Sequence, residues 1–544
     1  MFQAIFEADG AYVDFYPNPL GQQRKLAFTF SALDGVGIGR KARGFGVNFL
    51  LKNGYDVVAF KAGRALWYQD FADEALDCVL GFVEALGRQY EIRVGYGMSM
   101  GATGAIAFSN KLSLDRVIGF SPQFCVTPPW DRRWVPFAEP GFGFSVQLDQ
   151  INGKADYFII YDAFDVGDAR QVSELRQVIS PDRLHTLSID HTGHMTGFCL
   201  QQADELGRVV LSTLNDGAFP DTQTAFRSKR RKSALYLVNL ASRFAERNRL
   251  RAAIAALDEA IEIYSKEEPG PQNWATDCVG VFLSKSKYLA ALDQMNEAVA
   301  CCEQAITRAR THEPERLPFA LNQRASHFAR VGDFEAALRI QDEAISLRPS
   351  YGPLHGYRAN SLLALGRKEE ALAAARRQVE IGMTDAAAHY ALSHVLSACG
   401  RHAEALESLQ LAVQYAPEDL TYRTALAHLL RFLGHPDRAA VQLQAIIDKV
   451  PTDFASRANL SRAYFDSRRL DDALVQIDDV IARDAGVAAH HSHRSVVCFH
   501  LGQNEEAVRS AQDALDRDPD SATLRKALDH MVGATGLAQD TASA

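Results

Sequence analysis

The sequence has no stretch approaching the ~18 consecutive apolar residues of a membrane-spanning helix, so no membrane span is expected. It has no surplus of basic charge: 58 Lys and Arg stand against 67 Asp and Glu, a net charge of −9. Proteins that track phosphates normally carry a positive excess, so no nucleic-acid partner is expected. Cysteine is sparse, 8 in 544 residues with no CxxC pair, which excludes a disulfide framework and a thiolate zinc site. The cysteines, including the adjacent Cys301 and Cys302, read as reduced, buried thiols of a cytoplasmic protein. The opening segment MFQAIFEADG lacks a basic start and a small-residue cleavage site, so no secretory leader is expected. With 47% hydrophobic and 23% charged residues the chain is neither disordered nor fibrous, and its length calls for two or more domains.

What is present changes character near residue 220. Before it, short apolar runs alternate with amphipathic stretches and glycine-rich turns. Strands are expected at 25–33, 56–60, 91–97, 116–120, 156–161 and 184–189, with helical segments near 40–52, 70–88, 100–112, 168–179 and 195–214. Alternation of this kind makes βαβ crossovers and a mainly parallel sheet with helices on both faces, a three-layer α/β domain over residues 1–218.

After residue 230 the pattern is helical and repeats every 34 residues. Alanines recur at 337, 371, 405, 439, 473 and 507, and turn glycines at 332, 366, 400, 434 and 502, with Arg468 in the vacant slot. Prolines follow at 349, 417, 451 and 519. The alanine lets two helices of a hairpin approach, the glycine turns the chain, and the proline ends the second helix. Two looser units precede these, with their alanines at 253 and 298 and insertions around EEPGPQNW and THEPERLP. This stretch resembles the tetratricopeptide repeat family, an all-α superhelix of about eight units over 234–521. A capping helix at 522–535, a tail at 536–544 and a basic linker containing RSKRRK at 219–233 complete the expected organisation.

The chemistry-bearing motif is Gly97-Met98-Ser99-Met100-Gly101, a G-x-S-x-G that follows the strand EIRVGYG and opens the helix ATGAIAFSN. A serine hydroxyl attacks a carbonyl only when a base takes its proton and an acid orients that base. The turns after the fifth and sixth predicted strands supply Asp162, Asp165, His191 and His194.

Residues 1 to about 215 thus resemble a small α/β-hydrolase domain. The resemblance implies the chain order Ser, acid, His. It selects Ser99, Asp165 and His194, with Asp162 and His191 as alternatives. It also implies an oxyanion hole from the Met100 amide and one at Ser31 or Ala32, although the usual glycine-rich sequence is absent at the second position. Trp67, Trp130 and Trp134, with Arg132 and Arg133, are candidates to contact substrate. Gly37-x-Gly39-x-x-Ala42 looks like a dinucleotide fingerprint, but the next strand ends near Lys61 with no acid for a ribose. The loop is therefore expected to flank a pocket, and neither a cofactor nor a metal is called for.

The expected function is a serine esterase or acyltransferase acting on a small-molecule or saccharide acyl ester. The saccharide follows from a likeness of the serine turn and the Phe-Ser-Pro-Gln strand exit to bacterial proteins associated with glycan synthesis. The repeats would hold a protein or peptide in their groove. The alternative is a non-catalytic interaction scaffold whose first domain is structural.

Overall fold

The computed structural model describes residues 2–19, 24–33, 36–37, 39, 41–69, 71, 73–128, 130–131, 133–134, 137, 142–266 and 278–536. The expected insertion EEPGPQNW, the residue Arg132 and the tail beyond 536 lie outside them. Two compact units divide the chain, Met1–Pro314 and Glu315–Ala544.

In the first unit, apolar runs rich in β-branched and aromatic residues become strands. They are β1 (Gln3–Ala8), β2 (Ala11–Tyr16), β3 (Lys25–Phe30), β4 (Tyr55–Lys61), β5 (Ile92–Met98), β6 (Arg116–Phe120), β7 (Cys125–Val126), β8 (Phe144–Ser145), β9 (Asp156–Tyr161) and β10 (Leu184–Ser188). Eight of them form one sheet in the order β1-β2-β4-β3-β5-β6-β9-β10. From β4 to β10 every neighbour is parallel, whereas the β1–β2 hairpin joins β4 antiparallel. That hairpin was not anticipated. Its first strand is exposed at both ends and carries little apolar pattern. All of β4 is buried, as a strand covered on both faces requires.

Helices α1 (Val47–Lys52), α2 (Asp73–Ala85), α3 (Met100–Ala107), α4 (Val166–Val178), α5 (Thr196–Gln202), α6 (Leu206–Asp216) and α7 (Thr222–Lys229) connect or follow the strands. One apolar core holds α2, α3 and α4 against the sheet, and a second holds α1, α5 and α6. Helix α1 is shorter than expected, and the segment 195–214 is two helices.

The repeat helices begin with α8 (Ala234–Glu246), α9 (Leu250–Lys266), α10 (Cys278–Ala291) and α11 (Met295–His312), all within the first unit. Tyr236, Leu237 and Ala241 of α8 share the second core with Ile189, Cys199 and Leu200. The basic segment 219–233 is accordingly not a linker. It is α7 plus a helical turn, with Lys229 paired to Glu205 at 2.5 Å and Lys232 to Asp204 at 3.3 Å. The first two hairpins belong with the sheet rather than with the later repeats.

The second unit holds six hairpins, α12 (Leu317–Arg330) and α13 (Phe334–Leu347), α14 (Gly352–Ala364) and α15 (Lys368–Ile381), α16 (Ala386–Ala398) and α17 (His402–Tyr415), α18 (Leu420–Phe432) and α19 (Pro436–Lys449), α20 (Phe454–Asp466) and α21 (Leu470–Arg483), α22 (Ala488–His500) and α23 (Asn504–Arg517). Helix α24 (Ala522–Thr535) follows them. The alanines at 253, 298, 337, 371, 405, 439, 473 and 507 are all fully buried. The turn slot is left-handed in every hairpin: Asn248, Asp293, Gly332, Gly366, Gly400, Gly434, Arg468 and Gly502 all have positive φ.

Candidate functional site

Ser99 sits between β5 and α3 with φ 53° and ψ −122°, a conformation that costs of order 1–3 kcal/mol in a non-glycine residue. The surroundings enforce it. Ser99 N–H donates to the Phe120 carbonyl at 2.7 Å, and Thr103 N–H donates to the Ser99 carbonyl at 3.1 Å. The flanking glycines serve close approach: a Cβ on Gly97 would stand 2.2 Å from the Gly101 carbonyl oxygen, and one on Gly101 2.3 Å from that of Phe30.

The Ser99 hydroxyl lies 2.8 Å from His194 Nε2, and His194 Nδ1 lies 2.9 Å from both carboxylate oxygens of Asp168. Assigned by these partners, Nδ1 carries the proton and donates to Asp168, leaving Nε2 to accept from the serine. Asp168 is wholly buried. Burial pushes its carboxyl up, but His194 and the Arg133 guanidinium outweigh that and hold it below the usual carboxylate range.

Asp168, not Asp165, faces the histidine. Asp165 instead caps α4, accepting from Asp168 N–H at 2.9 Å, and pairs with Arg133 at 3.0 Å. Asp162 accepts from Gly193 N–H at 2.8 Å and Phe164 N–H at 2.9 Å, so it holds the histidine loop rather than the ring. His191 stacks on Phe164 with centroids 4.9 Å apart and does not pair with Ser99. Asp168 was legible in principle: with Val172 and Leu175 it marks the buried face of α4 at i, i+4 and i+7.

Arg133 joins three carboxylates, reaching Asp131 at 2.7 Å and Asp165 and Asp168 at 3.0 Å each. Its guanidinium lies against Gly167, where a Cβ would come within 2.2 Å of Nη2. Burial lowers its proton affinity, but the carboxylates, Asp131 first, raise it further, so it stays charged.

The oxyanion expectation needs one correction. Met100 opens α3, so its N–H has no intrahelical acceptor. Ser31 N–H, in contrast, is spent on the Phe60 carbonyl at 3.2 Å. Ala32, the neighbour already considered, lines the cavity with Ser99.

That cavity is about 520 Å³, walled by Leu33, Val36, Ala65, Trp134, Met195 and Phe198, with Ser99 and His194 as its polar lining. Of the three candidate tryptophans Trp134 lines it, its ring 4.8 Å from that of His194. Trp67 is fully buried behind Trp134, their centroids 6.3 Å apart, and Trp130 packs under Arg170 at 4.4 Å. The glycine loop contributes Val36 to the wall, with Gly37 N–H bonded to the Ala62 carbonyl at 3.0 Å. Gln123, the last residue of the Phe-Ser-Pro-Gln strand exit, is buried beside the serine. Its Oε1 lies 3.4 Å from both Ser99 Oγ and Trp67 Nε1, and its Nε2 donates to the Ser121 carbonyl at 2.6 Å. Among the described residues no cluster of three His, Cys, Asp or Glu is placed to hold a metal.

Tetratricopeptide repeat models match residues 322–386, 386–419, 424–488 and 459–522. The C-terminal part of the chain is therefore a tetratricopeptide array. No curated protein matches the chain. Among solved structures, the chain is similar to YrrB, described as a TPR protein with an unusual peptide-binding site, at 23% identity over 35% of this chain and 97% of that one (TM-score 0.31). It is similar to a tetratricopeptide repeat protein from Parabacteroides merdae at 16% identity, covering 47% and 98% (TM-score 0.35). A thermophilic TPR protein of Thermus thermophilus matches at 20% identity, covering 36% and 98% (TM-score 0.31). Arrays of this kind are scaffolds for protein or peptide partners. No helix of the described residues is long and apolar enough to cross a membrane.

Proposed function

We propose that the first unit is a serine hydrolase of the α/β-hydrolase type, acting on an ester with an apolar acyl group, and that the repeats recruit a protein partner. One observation carries the enzymatic reading: Ser99, His194 and Asp168 form a continuous hydrogen-bonded chain at 2.8 and 2.9 Å beside a 520 Å³ apolar cavity. In this reading Ser99 attacks the acyl carbonyl while His194 Nε2 takes its proton. Asp168 holds the imidazole tautomer and stabilises the imidazolium. The Met100 and Ala32 amides stabilise the tetrahedral oxyanion. Protonated His194 then releases the alcohol, and water or an acceptor hydroxyl resolves the acyl-enzyme. The cavity wall carries no charged side chain among the described residues except His194 when protonated. It therefore suits the acyl chain, and a saccharide would sit on the alcohol side of the ester.

The comparisons bear on the repeats alone and favour the other reading, an interaction scaffold whose first unit is structural. A fluorophosphonate probe separates the two. Labelling of the intact protein that vanishes in Ser99→Ala supports the hydrolase. Folded protein that never labels overturns it and leaves the scaffold.

A further inference from the structure

The first repeat helix touches both loops of the candidate site. Asn239 Nδ2 donates to the Thr192 carbonyl at 2.7 Å. The N–H of the same peptide unit, on Gly193, donates to Asp162 at 2.8 Å. Both polar groups of the Thr192–Gly193 peptide, one residue before His194, are therefore held, one by Asp162 and one by α8. Gly193 has φ 57°, and a Cβ there would lie 3.2 Å from Asn239 Nδ2, so the glycine permits the approach. One helical turn on, Arg243 donates through Nη2 to the Phe164 carbonyl, in the turn between Asp162 and Asp165. Residues 239 and 243 stand at i and i+4 on one face of α8, which reaches the loop that carries His194 and the turn that leads into α4, the helix that carries Asp168. Leu237 and Ala241 lie in the same apolar core as Ile189, Cys199 and Leu200, which fixes the helix in place.

We infer that α8 is a working part of the active site, with Asn239 and Arg243 as positioning residues that hold the His194 loop and the turn leading into the Asp168 helix. This rests on the serine-hydrolase reading. A hydrogen bond to the peptide beside the base orients the imidazole toward Ser99, and such alignment enters turnover far more than binding. The repeat array is then fastened to the catalytic geometry itself, not appended as a tether.

The test uses the full chain, a soluble short-chain ester and the fluorophosphonate probe. Asn239→Asp keeps the shape but removes the donor, and Asn239→Ala removes both. Each is expected to lower kcat and the labelling rate by roughly 10- to 100-fold with KM within about twofold. Arg243→Met is expected to lower kcat by a smaller factor and Arg243→Lys, which keeps a donor, to restore most of it. Ser242→Ala, on the exposed side of α8, is expected to match wild type. If the Asn239 variants fold poorly, the Arg243 pair carries the test. Wild-type kcat in folded Asn239→Asp or Arg243→Met overturns the inference and leaves the hydrolase standing. A wild-type protein that fails to label overturns both.

Discussion

Glycine does different work in the two units. At Gly332, Gly366, Gly400, Gly434 and Gly502 of the repeats, φ lies between 75° and 87°, and nothing stands within 4 Å of where a Cβ would be. These residues are selected for a dihedral angle. Gly97 and Gly101, beside the serine, are selected for space, with backbone oxygens 2.2 and 2.3 Å from the missing Cβ. The first requirement is local and recurs with each hairpin. The second exists only once β3, β5 and α3 are assembled. The glycine requirement in the repeats is thus a dihedral angle met turn by turn, whereas beside Ser99 it is a single close contact.

The sharpest way to break this comparison is to exchange one carboxyl for an amide at two positions three residues apart. Asp168→Asn leaves His194 Nδ1 facing an amide and favours the wrong tautomer, with an expected loss in kcat of about 10⁴-fold. Asp165→Asn removes one Arg133 partner but keeps a side chain able to cap α4, so a stability change below about 1 kcal/mol is expected. Steady-state kinetics with thermal unfolding checks both. A larger kinetic loss at Asp165 would reverse the assignment made from geometry.

Next in size is Gly101→Ala, which drives a Cβ into the Phe30 carbonyl and is expected to destabilise the first unit by about 3 kcal/mol. Gly332→Ala meets only the left-handed dihedral and is expected to destabilise the array by about 1 kcal/mol. Denaturant unfolding that costs the two equally would erase the distinction between space and angle.

The same distinction explains what could be read from residues alone. The repeat register of the second unit needs only i-to-i+34 identity, so its alanines and turn positions were legible, including the Arg468 slot. The turn residues Asn248 and Asp293 of the first two hairpins fall outside that step. Five of the six expected strands were legible because burial makes them apolar runs, while β10, the half-buried edge strand, carries a weaker pattern. Ser99 and His194 stand on strand exits that periodicity marks. The acid is different: Asp162 and Asp165 stand in the turn before α4 and Asp168 in its first helical turn, and the spacing of Asp168 with Val172 and Leu175 is the one signal that marks it as inward-facing. The α/β-hydrolase resemblance selected Asp165, which here is the cap of α4. Asn239 was out of reach because its partner, the Thr192 carbonyl, has no sequence signature. The boundary at 218 failed for a related reason, since the apolar face of α8 looks the same whether it meets a helix or a sheet domain.

Acid sharpens the comparison from the side of the repeats. Burial, together with the Arg462 and Arg431 guanidiniums, pushes the His493 imidazole down to about 4. The folded state thus favours the neutral ring, while the unfolded group titrates near 6.5. Its contribution to stability is complete above about 6.5 and is lost as pH falls toward 4. His428 and His490 are lowered in the same direction, chiefly by burial, so their contributions are also lost on the acid side. The array is expected to lose thermal stability over this range, with His493→Gln flattening part of the slope. A midpoint that does not move between pH 7 and 4.5 contradicts this. In the first unit the sign is the same but the cause differs: Asp168 is held ionised by His194 and Arg133 against its burial, and its contribution is lost as pH falls through its lowered value.

The smallest effect tests whether the turn slot is purely conformational. Arg468 occupies it with φ 62°, and its N–H donates to the Phe465 carbonyl at 3.0 Å, as Gly332 N–H donates to Ala329 at 3.1 Å. The hydrogen bond is therefore the same with or without a side chain, and the Arg468 side chain is exposed. A left-handed dihedral costs an L-residue about 1–2 kcal/mol, while glycine gives back about 0.5–1 kcal/mol through the freedom of the unfolded chain. Arg468→Gly is then expected to stabilise the array by about 0.5–1 kcal/mol, a rise of about 1–3 °C in its unfolding midpoint. Asn248 and Asp293 fill the same slot in the first two hairpins with φ 55° and 65°. Short polar side chains tolerate this region better, so Asn248→Gly is expected to gain less than Arg468→Gly. Equal gains at the two positions would mean that the side chain is irrelevant to the strain, and a loss at Arg468 would mean that the exposed guanidinium holds the turn.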